Sequence, residues 1–253
     1  STTALLEQLG QLVIDGSMAT ALEQLGAELR PGLWTASALL ECPEKVKAVH
    51  YGYLVAGADC GITCSYQATL PGLMRAGLSL LQAEEALCLS VRLFQEARAQ
   101  WWRDTGAAAG RAWPLCLASV GSYGAYLADG SEYRGPYGVP DETLRAFHRR
   151  RMELLWRSGA DALLLETQPS LREALIAAEL AEELGADYWV SFSCRDGAHT
   201  AEGTPIDECA RAFAAGHPHL KMIGVNCTSP RNAEQLVRRL RRTASVPIAA
   251  YPN

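Results

Sequence analysis

The sequence is poor in lysine. Only three of its 23 basic residues are lysine (Lys45, Lys47 and Lys221), a bias that carries no functional reading. Basic charge as a whole is in deficit. The 28 acidic residues leave a net charge of −5, which excludes a general nucleic-acid binder, since such a protein needs a basic surface to displace phosphate counterions. No apolar run reaches the roughly 18 residues that span a bilayer, so no membrane partner is expected. The start, Ser1-Thr2-Thr3-Ala4, shows no basic stretch leading into an apolar one, and a cytoplasmic location is the expectation. No Cys-x-x-Cys pair occurs among the eight cysteines. Scattered thiols in a chain this long read as reduced, buried small hydrophobes rather than a disulfide framework. No Gly-x-Gly-x-x-Gly follows the first apolar run, which continues Asp15-Gly16-Ser17-Met18-Ala19, so the dinucleotide fold lacks its marker. No linker or low-complexity stretch interrupts the chain, and a single domain over residues 1–253 is expected.

What is present is ample material for a core. Hydrophobic residues make up 49% and charged residues 20% of the 253, an ordinary globular balance that excludes disorder. Short apolar runs at 12–15, 60–65, 115–120, 162–166, 188–193, 222–226 and 246–250 read as strands buried on both faces. Amphipathic stretches at 43–56, 83–102, 141–158, 170–184, 205–215 and 231–242 read as helices. Ser170 with Glu173 three residues on has the form of a capping box, and Gly57, Gly159 and Gly185 stand where helices need a left-handed residue to end. Alternating strands and helices imply a parallel sheet covered by helices. Length and repeat favour a (β/α)8 TIM barrel over an open doubly wound sheet. Seven strands are visible, so the eighth βα unit is expected to be missing and the domain incomplete at its C-terminus.

In a barrel the chemistry sits at the C-terminal strand ends. Those ends carry Asp15 and Gly16, Ser65, Glu166 and Thr167, Asn226 and Cys227, and Tyr251 and Asn253. Two carboxylates, Asp15 and Glu166, suit an ammonium. Cys227 is a candidate ligand or nucleophile, with a buried core cysteine as the plainer reading. No histidine stands at another strand end to act as its base. The loop from Ser119 to Tyr137 is rich in glycine and tyrosine and carries Asp129, Glu132 and Arg134. Aromatic faces near carboxylates suit a cation, including a sulfonium. The arginine runs at 149–151 and 238–242 are expected to be solvated outer helix faces.

These residues resemble a known family. Val13-Ile14-Asp15-Gly16-Ser17-Met18-Ala19-Thr20 with Leu33-Trp34 is similar to the opening of homocysteine S-methyltransferases. So are Thr63-Cys64-Ser65-Tyr66-Gln67-Ala68-Thr69, Leu165-Glu166-Thr167 and Gly224-Val225-Asn226-Cys227. The segment from Ser119 to Gly135 resembles the branch that uses S-methylmethionine or S-adenosylmethionine, and is unlike the betaine-using branch. The resemblance covers essentially the whole chain.

The resemblance implies a (β/α)8 barrel that transfers a methyl group to homocysteine, giving methionine, with zinc bound by three cysteines. Cys227 would be the first. The other two form an adjacent pair in a Gly-Gly-Cys-Cys motif, which these 253 residues do not contain. A free thiol is mostly protonated at neutral pH and zinc makes it a thiolate, which explains the cysteine set. By resemblance Asp15 and Glu166 hold the homocysteine ammonium, with Gly16 and Ser65 near its carboxylate and Asn226 also on the substrate. Tyr123, Tyr126 and Asp129 are our own assignment for the donor side. Two other readings stand beside this one. One is a non-catalytic, metal-free truncated barrel that binds an amino acid or acts as an interaction module. The other is an acid–base barrel enzyme working through Glu166.

Overall fold

The computed structural model describes residues 1–30 and 32–252. The chain is α/β, with a parallel sheet of six strands in the order β1-β2-β3-β4-β5-β6. It divides into two compact units, Ser1–Ser119 with Leu154–Ala162, and Val120–Glu153 with Leu163–Asn253.

The first unit holds α1 (Thr2–Leu9), α2 (Met18–Gln24), α3 (Ala36–Glu41), α4 (Pro43–Ala56), β1 (Cys60–Ile62), α5 (Leu70–Arg75) and α6 (Leu80–Trp101). It also holds most of β2 (Leu115–Gly121). The run at 12–15 does not become a regular strand. It contributes one parallel bridge, Ile14 to Cys60. Val13 is half exposed there, so one face of the run gains nothing from burial. Helices α2, α5 and α6 start at side-chain caps: Ser17, Thr69 and Ser79 each accept a backbone N–H three residues on. α2 and α5, of seven and six residues, are too short to show a hydrophobic period, which is why they escape a periodicity reading.

The second unit holds α7 (Tyr123–Leu127), a 3-10 turn (Ser131–Tyr133), α8 (Asp141–Arg157), β3 (Ala162–Gln168), α9 (Leu171–Glu183) and β4 (Tyr188–Phe192). α10 (Ile206–Ala212), β5 (Leu220–Asn226), α11 (Pro230–Thr243) and β6 (Ile248–Tyr251) complete it. Strands β3 to β6 pair in parallel, each with the next. β3 is buried at all seven positions, as its unbroken apolar run requires of a strand covered on both faces. Six strands and a bridge replace the seven strands read from the sequence, and among the described residues the sheet is not a closed ring of eight. The expected helix-ending glycines are left-handed, with φ of 110° at Gly57, 89° at Gly159 and 62° at Gly185.

The arginine run on α8 departs from expectation. Arg149 and Arg150 are exposed, but Arg151 is wholly buried. The helical period explains it: Leu144, His148, Arg151, Met152 and Leu155 share the inward face.

Candidate active site

In the second unit three strand ends converge on one hydrogen-bonded group. The β3–β4 pairing slips between Leu165 and Gln168. Two residues, Glu166 and Thr167, stand against the single Ser191. This bulge re-aims the strand end. Thr167 takes a φ of 54° and Cys227, just past β5, a φ of 46°. Both are left-handed at non-glycine residues, and a β-branched threonine there is strained.

Asn226 holds both. Its Oδ1 accepts the Thr167 backbone N–H at 2.9 Å and the Ser191 hydroxyl. Its Nδ2 donates to Thr167 Oγ1 at 2.8 Å and to Cys227 Sγ at 3.3 Å. The Thr167 N–H can only donate, which fixes which end of the amide is oxygen. All four capacities of the amide are thus used within the protein, and Asn226 is fully buried. Expected among substrate contacts, Asn226 has its amide engaged by Thr167, Ser191 and Cys227.

Tyr251, at the end of β6, lies opposite Asn226 in register. Its hydroxyl donates to Glu166 Oε2 at 3.2 Å and lies 2.9 Å from Ser191 Oγ. Burial, then the neighbouring Glu166 charge, pushes this phenol well above the ordinary tyrosine range. It therefore stays protonated and able to donate. Sequence reasoning placed Tyr251 at a strand end but assigned it no task. Asn253 lies outside the described residues.

The loop after β2 carries Tyr123, Tyr126 and Asp129, expected on the donor side. Tyr123 and Tyr126 stack on Phe147 of α8, with ring centroids 5.0 and 5.3 Å away, and Tyr137 lies 5.5 Å from Tyr123. Asp129 is exposed. It accepts from Ser131 N–H at 2.9 Å and pairs with Arg134 at 3.6 Å. None of the three is brought to Cys227. Tyr133, itself half exposed, is the loop tyrosine with Cys227 as a neighbour, and burial, then the nearby Cys227, pushes its pKa up to about 12. Nothing in the spacing distinguishes Tyr133 from the other loop tyrosines; only the fold-back of the loop does.

In the first unit Asp15 Oδ2 accepts the Ile62 N–H at 3.0 Å, which ties the carboxylate to the end of β1. Gly16 lies against Tyr53: a Cβ there would stand 2.8 Å from the phenol oxygen, which itself donates to Ser17 O at 3.0 Å. Ser65 is fully buried. Its hydroxyl donates to Ser119 O at 2.8 Å and lies 2.7 Å from Thr63 Oγ1, so that hydroxyl is already engaged by the protein.

A family model for homocysteine S-methyltransferase matches residues 12–253. The chain belongs to the homocysteine S-methyltransferase family. It is 44% identical over 250 residues to homocysteine S-methyltransferase YbgG of Bacillus subtilis, covering 98% of this chain and 79% of that one. It is 43% identical over 258 residues to the selenocysteine Se-methyltransferase of Brassica oleracea, covering 98% and 74%. The metallated form of the Escherichia coli homocysteine methyltransferase MmuM superposes with a TM-score of 0.93 at 42% identity, covering 99% of this chain and 86% of that one.

A metal is therefore implied by the family. Among the described residues no group of three His, Cys, Asp or Glu side chains could hold one. One thiol does not make a metal centre, so these residues do not by themselves fit the ion. No helix among them is long and apolar enough to cross a membrane.

Proposed function

We propose that this chain transfers a methyl group from a sulfonium donor, S-methylmethionine or S-adenosylmethionine, to the thiol of homocysteine, giving methionine. The homocysteine thiol gives up its proton to solvent, and the thiolate sulfur attacks the methyl carbon in line. The new C–S bond forms as the donor's C–S bond breaks, and that bonding pair returns the donor sulfur to a neutral thioether. No general acid is needed, because the leaving group departs uncharged. The protein's contribution is orientation and charge.

The observation that carries this reading is the braced pair of strand ends, Glu166 and Cys227, each locked through Asn226 and Thr167 or Tyr251. In this reading Glu166 takes the substrate ammonium, and the Tyr251 hydrogen bond fixes which way its carboxylate points. The family resemblance gives Asp15 the same charge role. It places Gly16 and Ser65 by the substrate carboxylate, where Gly16 supplies the absence of a side chain. We assign Cys227 as this stretch's thiol for a family zinc. We keep the donor side on the loop after β2, where Tyr133 joins Tyr123, Tyr126 and Asp129 as a candidate. We place this activity in the cytoplasm.

The test is methionine formation by the purified protein from homocysteine with each sulfonium donor, alongside its zinc content. The reading expects turnover with at least one donor, and its loss in Cys227→Ser. Unchanged turnover in that variant would sink it.

A further inference from the structure

The residue pair that has the form of a capping box is used otherwise. Ser170 makes no side-chain cap bond to α9, and Glu173 turns inward. Its Oε1 accepts the Tyr123 backbone N–H at 2.5 Å and lies 2.7 Å from His148 Nε2. His148 Nδ1 lies 3.0 Å from Arg151 Nη2. A guanidinium can only donate, so Nδ1 accepts and the imidazole proton sits on Nε2, donated to Glu173. Arg151 Nη2 also donates to the Gly121 carbonyl at 2.5 Å. All three side chains are fully buried.

The two ends of this Arg151–His148–Glu173 chain therefore grip residues 121 and 123. Between them lies Ser122, whose hydroxyl caps α7. The loop is tied again further on. Gly124 has no room for a side chain, since a Cβ would stand 2.5 Å from the Glu132 nitrogen. The Glu132 carbonyl accepts from Ser193 Oγ at 2.7 Å, just past β4. The next residue is Tyr133, which has Cys227 as a neighbour. A buried charged chain is costly to assemble, and what this one holds is the root of the loop that delivers Tyr133.

We propose that Glu173 is a positioning residue for the methyl donor: it fixes α7 through the Tyr123 N–H, and through α7 and Gly124 it sets Tyr133 beside Cys227. The proposal rests on the methyl-transfer reading. It predicts a split between the two substrates. Glu173→Ala raises the donor KM at least tenfold and leaves the homocysteine KM within twofold. Glu173→Gln keeps an oxygen for both N–H donors and recovers the donor KM to within about threefold of the parent. Tyr133→Phe, which leaves the buried chain untouched, raises the donor KM alone, and adds little to Glu173→Ala in the double variant.

A merely structural Glu173 would lower the active fraction and so kcat, moving neither KM. That outcome, equal shifts in both KM values, or independent multiplication of the Glu173 and Tyr133 effects would overturn the proposal. If Glu173→Ala does not fold, Tyr133→Phe and Glu173→Gln decide: a parent-like donor KM in Tyr133→Phe sinks it. Amide exchange of residues 122–135 separates the two readings. A parent protein that makes no methionine refutes the transferase reading, whereas unaltered exchange of this segment in the Glu173 variants refutes the anchoring itself.

Discussion

Replacing Asn226 by alanine tests the bracing of the strand ends directly. The variant leaves the buried Thr167 N–H without its acceptor, a penalty of about 1–3 kcal/mol. It also removes the bonds to Thr167 Oγ1 and Cys227 Sγ, at about 0.5–1.5 kcal/mol each. Ser191 is spared, because its hydroxyl can turn to Tyr251 at 2.9 Å. The left-handed backbone at Thr167 and Cys227 then has nothing to hold it, and relaxation recovers part of the loss. The net expectation is about 3 kcal/mol of lost stability, read as a fall of about 1 M or more in the urea midpoint with an unchanged slope. Activity should fall further than stability. A displacement of about 1 Å at a reacting group costs on the order of 100-fold, and both Glu166 and Cys227 would move. Asn226→Asp keeps the oxygen for Thr167 but sets a second oxygen against the Cys227 sulfur, and should fall between the two. An alanine variant that unfolds within about 1 kcal/mol of the parent and retains its kcat/KM would refute the reasoning.

Other outcomes follow from the same geometry. Glu166→Gln removes a charge from the proposed ammonium partner, and the homocysteine KM should rise about 10- to 100-fold with the donor KM unmoved; equal changes in both would place Glu166 elsewhere. Gly16→Ala pushes a methyl group into the Tyr53 ring and should cost about 1–3 kcal/mol in thermal or urea unfolding, so an unshifted transition would show that the ring gives way freely. His50 is fully buried with both ring nitrogens unpartnered, and burial holds its pKa down to about 3 against 6.5 in the open. The unfolded chain thus binds a proton that the folded one refuses between these values. Its contribution is complete above pH 6.5 and is lost as pH falls, by about 2 kcal/mol at pH 5. His50→Leu should remove that part of the acid slope; an unchanged slope would contradict it.

Much of the function is legible in the residue order alone. The unbroken apolar runs mark the buried parallel strands, and the polar residues that end them mark the site, because a strand covered on both faces has nowhere else to place polar chemistry. Glu166 and Cys227 stand out this way, Asp15 only by its motif, since its run forms a single bridge; the motifs settle the family. Local periodicity cannot say which of several equivalent side chains turns inward. Arg151 reads as one of three solvated arginines, yet the helical face it shares with His148 buries it against Gly121 O. Glu173 reads as half of a capping box, yet Tyr123 N–H and His148 claim it. Asn226 reads as a substrate contact, yet a bulge on β3 brings Thr167 within reach and uses up its amide. The spacing does not separate Tyr123, Tyr126 and Tyr133; the fold-back of the loop over Gly124 is what gives them different neighbours. The sequence by itself determined the family, the strand ends and their charges. The tertiary structure decided which groups touch, because hydrogen-bond partners 25 to 85 residues apart are chosen by packing and register, which no local pattern encodes.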